Sequence, residues 1–198
     1  LGTAAGDALT TGSYNIAIGQ GALSAEDGNG RNVAIGQSTL AVQNAGADAY
    51  NVAVGYNAGT AMSTGAKNTL IGGNAGLALT TGVFNTAVGF EALHTEDTGH
   101  YNTAIGYQAL STQDGGDGHN TAVGFDAGVA ITTGSQNVIV GSEAGETLTI
   151  GNYNVAVGRQ ALAASVDGDY NTAIGFRALQ DYEDGDGNGH NTAVGASS

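Results

Sequence analysis

Hydrophobic positions along this chain come in short alternating bursts. In the first, Asn15-Ile16-Ala17-Ile18-Gly19, Ile16 and Ile18 point to one side of an extended backbone and Ala17 and Gly19 to the other. Val52 and Val54 stand against Ala53 and Gly55 in the same way. Period-two alternation on β-branched residues predicts a short strand. The burst recurs as Asn-[Ile/Val/Thr]-[Ala, rarely Leu/Ile]-[Ile/Val]-Gly, opening at Asn15, Asn32, Asn51, Asn68, Asn85, Asn102, Asn120, Asn137, Asn154, Asn171 and Asn191. The steps are 17, 19, 17, 17, 17, 18, 17, 17, 17 and 20 residues, a base period of 17 with insertions of one to three. The β-branched side of each strand is expected to face the core. The alanine/glycine side, with Leu70 and Ile139 as its exceptions, is expected to let a neighbouring backbone approach.

The linkers keep register too. Seven residues after an asparagine stands alanine, as at Ala22, Ala58 and Ala75, with Thr39 as the one substitution. The next residue divides the units into a leucine type (Leu23, Leu40, Leu93, Leu110, Leu162, Leu179) and a glycine type (Gly59, Gly76, Gly128, Gly145). Glycine units place Met62, Leu79, Ile131 or Leu148 three positions later. Each linker thus supplies one large apolar residue at one of two places, which keeps the core volume constant. The types run in pairs, so the longer repeat is four units, 70 residues from Asn15 to Asn85.

One such unit cannot bury its own apolar face, but stacked units can, with strands parallel and about 4.8 Å apart. The rod is then roughly 50 Å long if each unit is one coil, and half that if two units make one. Glycine, 35 of 198 residues, recurs too often for helices, and the period is too short for a propeller blade. The expected fold is all-β, a repetitive parallel β-solenoid forming a single array over residues 1–198. Leu1–Gly12 aligns with Ile71–Gly82, so the sequence opens in mid-strand and reads as a segment of a longer chain.

Asn-Val-Ala-Val-Gly and Asn-Thr-Ala-Ile-Gly, followed by alanine and a turn of small residues, resemble the YadA-like head repeats of trimeric autotransporter adhesins. They resemble equally the repeats of phage and phage-like tail fibres, which carry Asn-Thr-Ala-Ile-Gly-Tyr-Gln-Ala-Leu, present here from Asn102 to Leu110. The resemblance covers essentially the whole chain, although the unit of 17 residues is longer than the usual adhesin unit of about 14. It implies a left-handed parallel β-roll, three chains side by side, on the outside of a cell or virion. The expected function is therefore a structural and adhesive shaft segment of an extracellular homotrimeric fibre, with a host-cell surface or glycan as partner. A tail-fibre segment for host attachment is the alternative, and an ice- or glycan-binding solenoid a third reading. The alanine/glycine strand face is the expected contact between chains.

Charge narrows the partners. Four Lys+Arg against 18 Asp+Glu give a net charge of −14, with no basic footprint for nucleic acid and repulsion from an anionic membrane. No apolar run has transmembrane length, so no direct membrane insertion is expected in this segment. Cysteine is absent, which removes thiolate sites and disulfides. No nucleophile–histidine–acid constellation or phosphate-binding loop is present, so no enzyme and no catalytic residue is expected.

Thirteen of the 18 carboxylates lie in leucine-type linkers, among them Glu26, Asp27, Asp48, Glu96 and Asp97. Asp, Asn and Gly there read as solvated turns. Asp-Gly-Asp-Gly-Asn-Gly at 184–189 also looks like a calcium loop, so Asp181, Asp184 and Asp186, with Asp114 and Asp117, are candidate calcium ligands. No other cofactor is expected. His119 and His190 stand just before strand asparagines, where other units have aromatics, and His100 stands one residue earlier, before Tyr101, which points to packing; His94 and His100 flank one loop without an evident third metal ligand. Eleven of the twelve aromatics occupy two repeat positions. Tyr14, Tyr50, Phe84, Tyr101, Tyr153 and Tyr170 precede an asparagine. Tyr56, Phe90, Tyr107, Phe125 and Phe176 follow the strand glycine and form a candidate surface-binding stripe. The asparagines Asn15 to Asn191 are expected to form a structural ladder of stacked amides.

Overall fold

The computed structural model describes residues 2–28, 30–115, 118–182 and 189–198. Eleven three-residue strands cover the predicted positions: β1 (Ile16–Ile18), β2 (Val33–Ile35), β3 (Val52–Val54), β4 (Thr69–Ile71), β5 (Thr86–Val88), β6 (Thr103–Ile105), β7 (Thr121–Val123), β8 (Val138–Val140), β9 (Val155–Val157), β10 (Thr172–Ile174) and β11 (Thr192–Val194). They form one parallel sheet in sequence order. Alanine sits against alanine between neighbours, as in Ala34↔Ala53 and Ala87↔Ala104. Consecutive units pair directly, so each unit is one coil, and at about 4.8 Å per coil the stack is about 50 Å long. The chain is an all-β parallel solenoid, with no helix among the described residues.

The strands face the opposite way from the sequence expectation. Mid-strand residues Ala34, Ala53, Leu70, Ala87, Ala104, Ala122, Ile139, Ala156 and Ala173 are fully buried. The β-branched residues point outward: Ile18 is 45% exposed, and Ile35, Val54 and Val88 are half-buried. A coil of about 17 residues encloses a narrow lumen, already occupied by the linker alanines and one or two large side chains per coil. A second row of branched side chains would overfill it. The small strand face is therefore the core wall and is unavailable as the contact between chains.

The leucine/glycine alternation works as volume exchange. Leu23, Leu40, Leu93, Leu110 and Leu162 adopt φ of 51, 48, 53, 50 and 54° and are fully buried. Gly59 and Gly76 take the same left-handed conformation, with φ of 59 and 57°, and there Met62 and Leu79 enter the core. Two adjacent glycine coils leave extra room, which a bulky mid-strand residue in the second coil fills. A β-carbon on Gly59 would lie 2.8 Å from Leu70 Cδ1, and one on Gly145 would lie 3.3 Å from Ile139 Cδ1. Leu70 and Ile139 are thus products of the four-unit period. At the strand exit, Gly89 has φ of 139° and lies against the backbone of Gly106 in the next coil, where no side chain fits.

Candidate interaction face and buried polar column

The asparagine column is continuous, but its bonds differ from amide stacking. Each main-chain N–H donates to Oδ1 of the asparagine one coil earlier, from Asn32 to Asn15 (2.9 Å) through Asn85 to Asn68 (2.8 Å) to Asn191 to Asn171 (3.1 Å). Asn51, Asn68, Asn85, Asn120, Asn137 and Asn154 also donate Nδ2 to a glycine carbonyl 14 residues on, such as Asn85 to Gly99 at 2.7 Å. The residue before each asparagine is left-handed, as at Tyr101 with φ of 60°. That corner interrupts the strand ladder, and the side-chain oxygen supplies the acceptor that the next N–H needs. Asn32, Asn102 and Asn171 open the coils with 19, 18 and 20 residues, and their buried Nδ2 groups have no acceptor among the described residues.

The outer surface carries both aromatic columns. Before the asparagines, Phe84 stacks on Tyr101 (5.2 Å between centroids), Tyr101 on His119 (4.8 Å), Tyr153 on Tyr170 (4.8 Å) and Tyr170 on His190 (4.8 Å). Cations and an amide complete the column where rings are missing. Arg31 lies between Tyr14 and Tyr50, at 5.0 and 5.5 Å from their centroids, and also pairs with Asp48; Lys67 sits over Phe84; Gln136 donates to the Tyr153 hydroxyl. Sequence reasoning passed over Arg31, Lys67 and Gln136, although their phase in the repeat was a sufficient signal. Of the second column, Phe90, Tyr107 and Phe125 stack at 5.9 and 5.3 Å, and Tyr56, Phe90, Tyr107, Phe125 and Phe176 are all exposed. His100 accepts a hydrogen bond from the Val83 N–H at 3.0 Å, an architectural use of its ring.

Between the columns runs the outward strand face. Its 22 positions are all Ile, Val or Thr, with no charge. The turn threonines Thr10, Thr80, Thr132 and Thr149 instead donate to carbonyls of the following coil, such as Thr80 to Asp97 at 2.9 Å.

The acidic linkers are not uniformly solvated. Eleven residues after the asparagine, where glycine coils bury Met62 or Leu79, leucine coils bury a polar residue: Glu26, Gln43, Glu96, Gln113 or Ser165, each fully buried. Gln43 and Gln113 accept from the Nδ2 of Asn51 and Asn120. Glu96 accepts from the Gly99 N–H at 2.6 Å through Oε1, while its buried Oε2 has no hydrogen-bond partner among the described residues. Burial pushes the Glu96 carboxyl above the usual carboxylate range and the charge of Asp114 adds to this; the backbone amides of Gly99, Gly115 and Thr98 oppose it. Of the candidate calcium ligands, Asp114 is brought to Glu96 and the neighbouring Asp97. Asp181 lies in the coil of β10, and Asp117, Asp184 and Asp186 fall outside the described residues.

No protein-family model, curated protein or solved structure matches the chain. No helix among the described residues is long and apolar enough to cross a membrane.

Proposed function

We propose that this chain is a structural and adhesive shaft segment of an extracellular fibre built from three copies of itself. The observation that carries this reading is the outward strand face: an uncharged, half-exposed sheet of Ile, Val and Thr extending along eleven coils. An apolar surface of that extent on a chain of net charge −14 calls for a partner that is equally apolar and keeps its own acids elsewhere. A second and third copy of this chain meet both demands, since their carboxylates lie in linkers and turns. The chemistry of such a shaft is mechanical, resting on in-register hydrogen bonding that repeats coil by coil. The exposed column of Phe90, Tyr107 and Phe125 adds planar apolar surfaces suited to stacking on sugar rings of a host surface.

Light scattering tests the assembly. The expected mass is three times 19.4 kDa, and Val54→Lys combined with Val88→Lys and Val123→Lys should give a monomer with an unchanged β-sheet spectrum. A parent chain that is monomeric at micromolar concentration would refute this reading. For adhesion, binding to host cells or immobilised glycans should disappear in Phe90→Ala/Tyr107→Ala/Phe125→Ala while the trimer persists.

A further inference from the structure

We infer that Glu96, Asp97 and Asp114 form a divalent-cation site, suited to calcium, that clamps the coil of β5 to the coil of β6. One carboxylate oxygen from each of the three lies within 4.8 Å of the others. That spacing lets all three oxygens bind one calcium ion at Ca–O distances of about 2.3–2.6 Å, and calcium tolerates irregular oxygen sets where magnesium demands a near-ideal octahedron. The donor set is oxygen only, which favours hard cations over zinc or copper.

The cluster is more than a group of surface acids. Glu96 is fully buried, and among the described residues its Oε2 has no hydrogen-bond partner. A buried carboxylate oxygen without a donor carries a desolvation cost that a bound cation removes. Gly99 is the residue that lets the carboxylate sit there: its N–H donates to Oε1, and a β-carbon at that position would collide with the Glu96 carboxylate. The two exposed ligands stand on anchored backbone. The Asp97 carbonyl accepts from the Thr80 N–H at 2.6 Å and the Thr80 hydroxyl at 2.9 Å, and the Asp114 N–H donates to Thr132 at 3.0 Å.

The other leucine pairs provide an internal comparison. In the first pair, Glu26 and Asp27 occupy the phases of Glu96 and Asp97, but Asn44 replaces Asp114. In the last pair, Ser165 and Val166 replace the first two carboxylates. The backbone frame is retained in both, since Asp27 and Val166 carbonyls accept from Thr10 and Thr149 as Asp97 does from Thr80. Three carboxylates meet in this way at the middle pair alone among the described residues. The site is thus a property of these three side chains and not of acidic turns in general. It requires nothing of the proposed trimer.

Calorimetric titration with calcium chloride, together with melting in calcium chloride, magnesium chloride and sodium chloride at matched ionic strength, decides the matter. The expected result is one calcium per chain with a Kd on the order of 10⁻⁴–10⁻³ M, and a melting temperature higher in calcium than in either other salt. Glu96→Gln and, separately, Asp114→Asn should weaken calcium binding at least tenfold, while Glu26→Gln leaves it unchanged. Gln43 and Gln113 already occupy the Glu96 phase, so Glu96→Gln is compatible with the fold, and the exposed Asp114→Asn gives an independent reading. Calcium binding equal in parent and both variants, or melting equal in calcium and matched sodium chloride, would overturn the assignment.

Discussion

Leu70 stands where a side chain on Gly76 would have to go: a β-carbon on that glycine would lie 2.9 Å from Leu70 Cδ2. The two residues belong to the same coil, and each explains the other. Glycine at this left-handed corner removes a leucine from the core, and Leu70 replaces the usual mid-strand alanine to restore the volume. Leu70→Ala is therefore expected to leave a cavity and cost about 2–5 kcal/mol. In urea unfolding, Leu70→Ala should lower the midpoint far more than Val42→Ala, whose side chain is exposed in a linker. Equal losses would disprove the volume exchange.

The asparagine column gives the second prediction. Asn85 accepts from the Asn102 N–H and donates to the Gly99 carbonyl, both in buried surroundings. Asn85→Ala strands one donor and one acceptor, and the expected cost is about 2–4 kcal/mol. Amide hydrogen exchange at Asn102 should accelerate in the same variant. Retained protection there would show that the N–H finds another acceptor.

The strand-exit glycines set a third. Gly89→Ala must hold alanine at φ of 139° with its β-carbon against the Gly106 backbone. Strain in that region costs about 1–3 kcal/mol, and the clash should force β5 and β6 apart locally. The variant should become sensitive to limited proteolysis between these strands, whereas Gly21→Ala, at φ of 64° in the left-handed well that Leu23 and Tyr14 also occupy and with nothing within 4 Å of its β-carbon, should be far less sensitive.

A pH effect is expected at Asp126, whose carboxyl is raised above the usual range by burial and then by the charge of Glu143 in the next coil. The folded chain holds this proton more tightly than the unfolded chain does. Its contribution to stability is therefore greatest below the ordinary aspartate range and is lost as pH rises through the raised folded value. Asp126→Asn should be more stable than the parent at neutral pH by about 0.5 kcal/mol, the scale of a like-charge neighbour pair in a sheet. The advantage should vanish in acid. Parallel pH–stability curves for parent and variant would refute it.

Much of this architecture is legible in the residues themselves. The Asn-to-Gly pentapeptide marks every strand, and its spacing marks every coil. The exchange of Leu93 for Gly76 plus Leu79 can be read as conserved volume, and the phase of Tyr101, His119 and Tyr170 predicts a column of stacked rings. These features repeat, and a repeat reports local conformation reliably because every copy must adopt the same backbone.

What the tertiary structure decided was which side of the strand is inside. Alternation separates Ile18 from Ala17 but does not orient them, and hydrophobicity alone favours the wrong answer. Threonine at Thr69, Thr86 and Thr103 shares the phase of Ile16 and Val33, a sign that this side tolerates water. The deciding factor is the lumen, which one or two large side chains per coil and a wall of mostly alanine already fill. Closure of the coil likewise buries Glu96 at a position where neighbouring coils place Leu79 and Gln113, and stacking brings Asp114 to it from the following coil. Neither fact follows from composition or period, because both depend on how one coil lies upon the next.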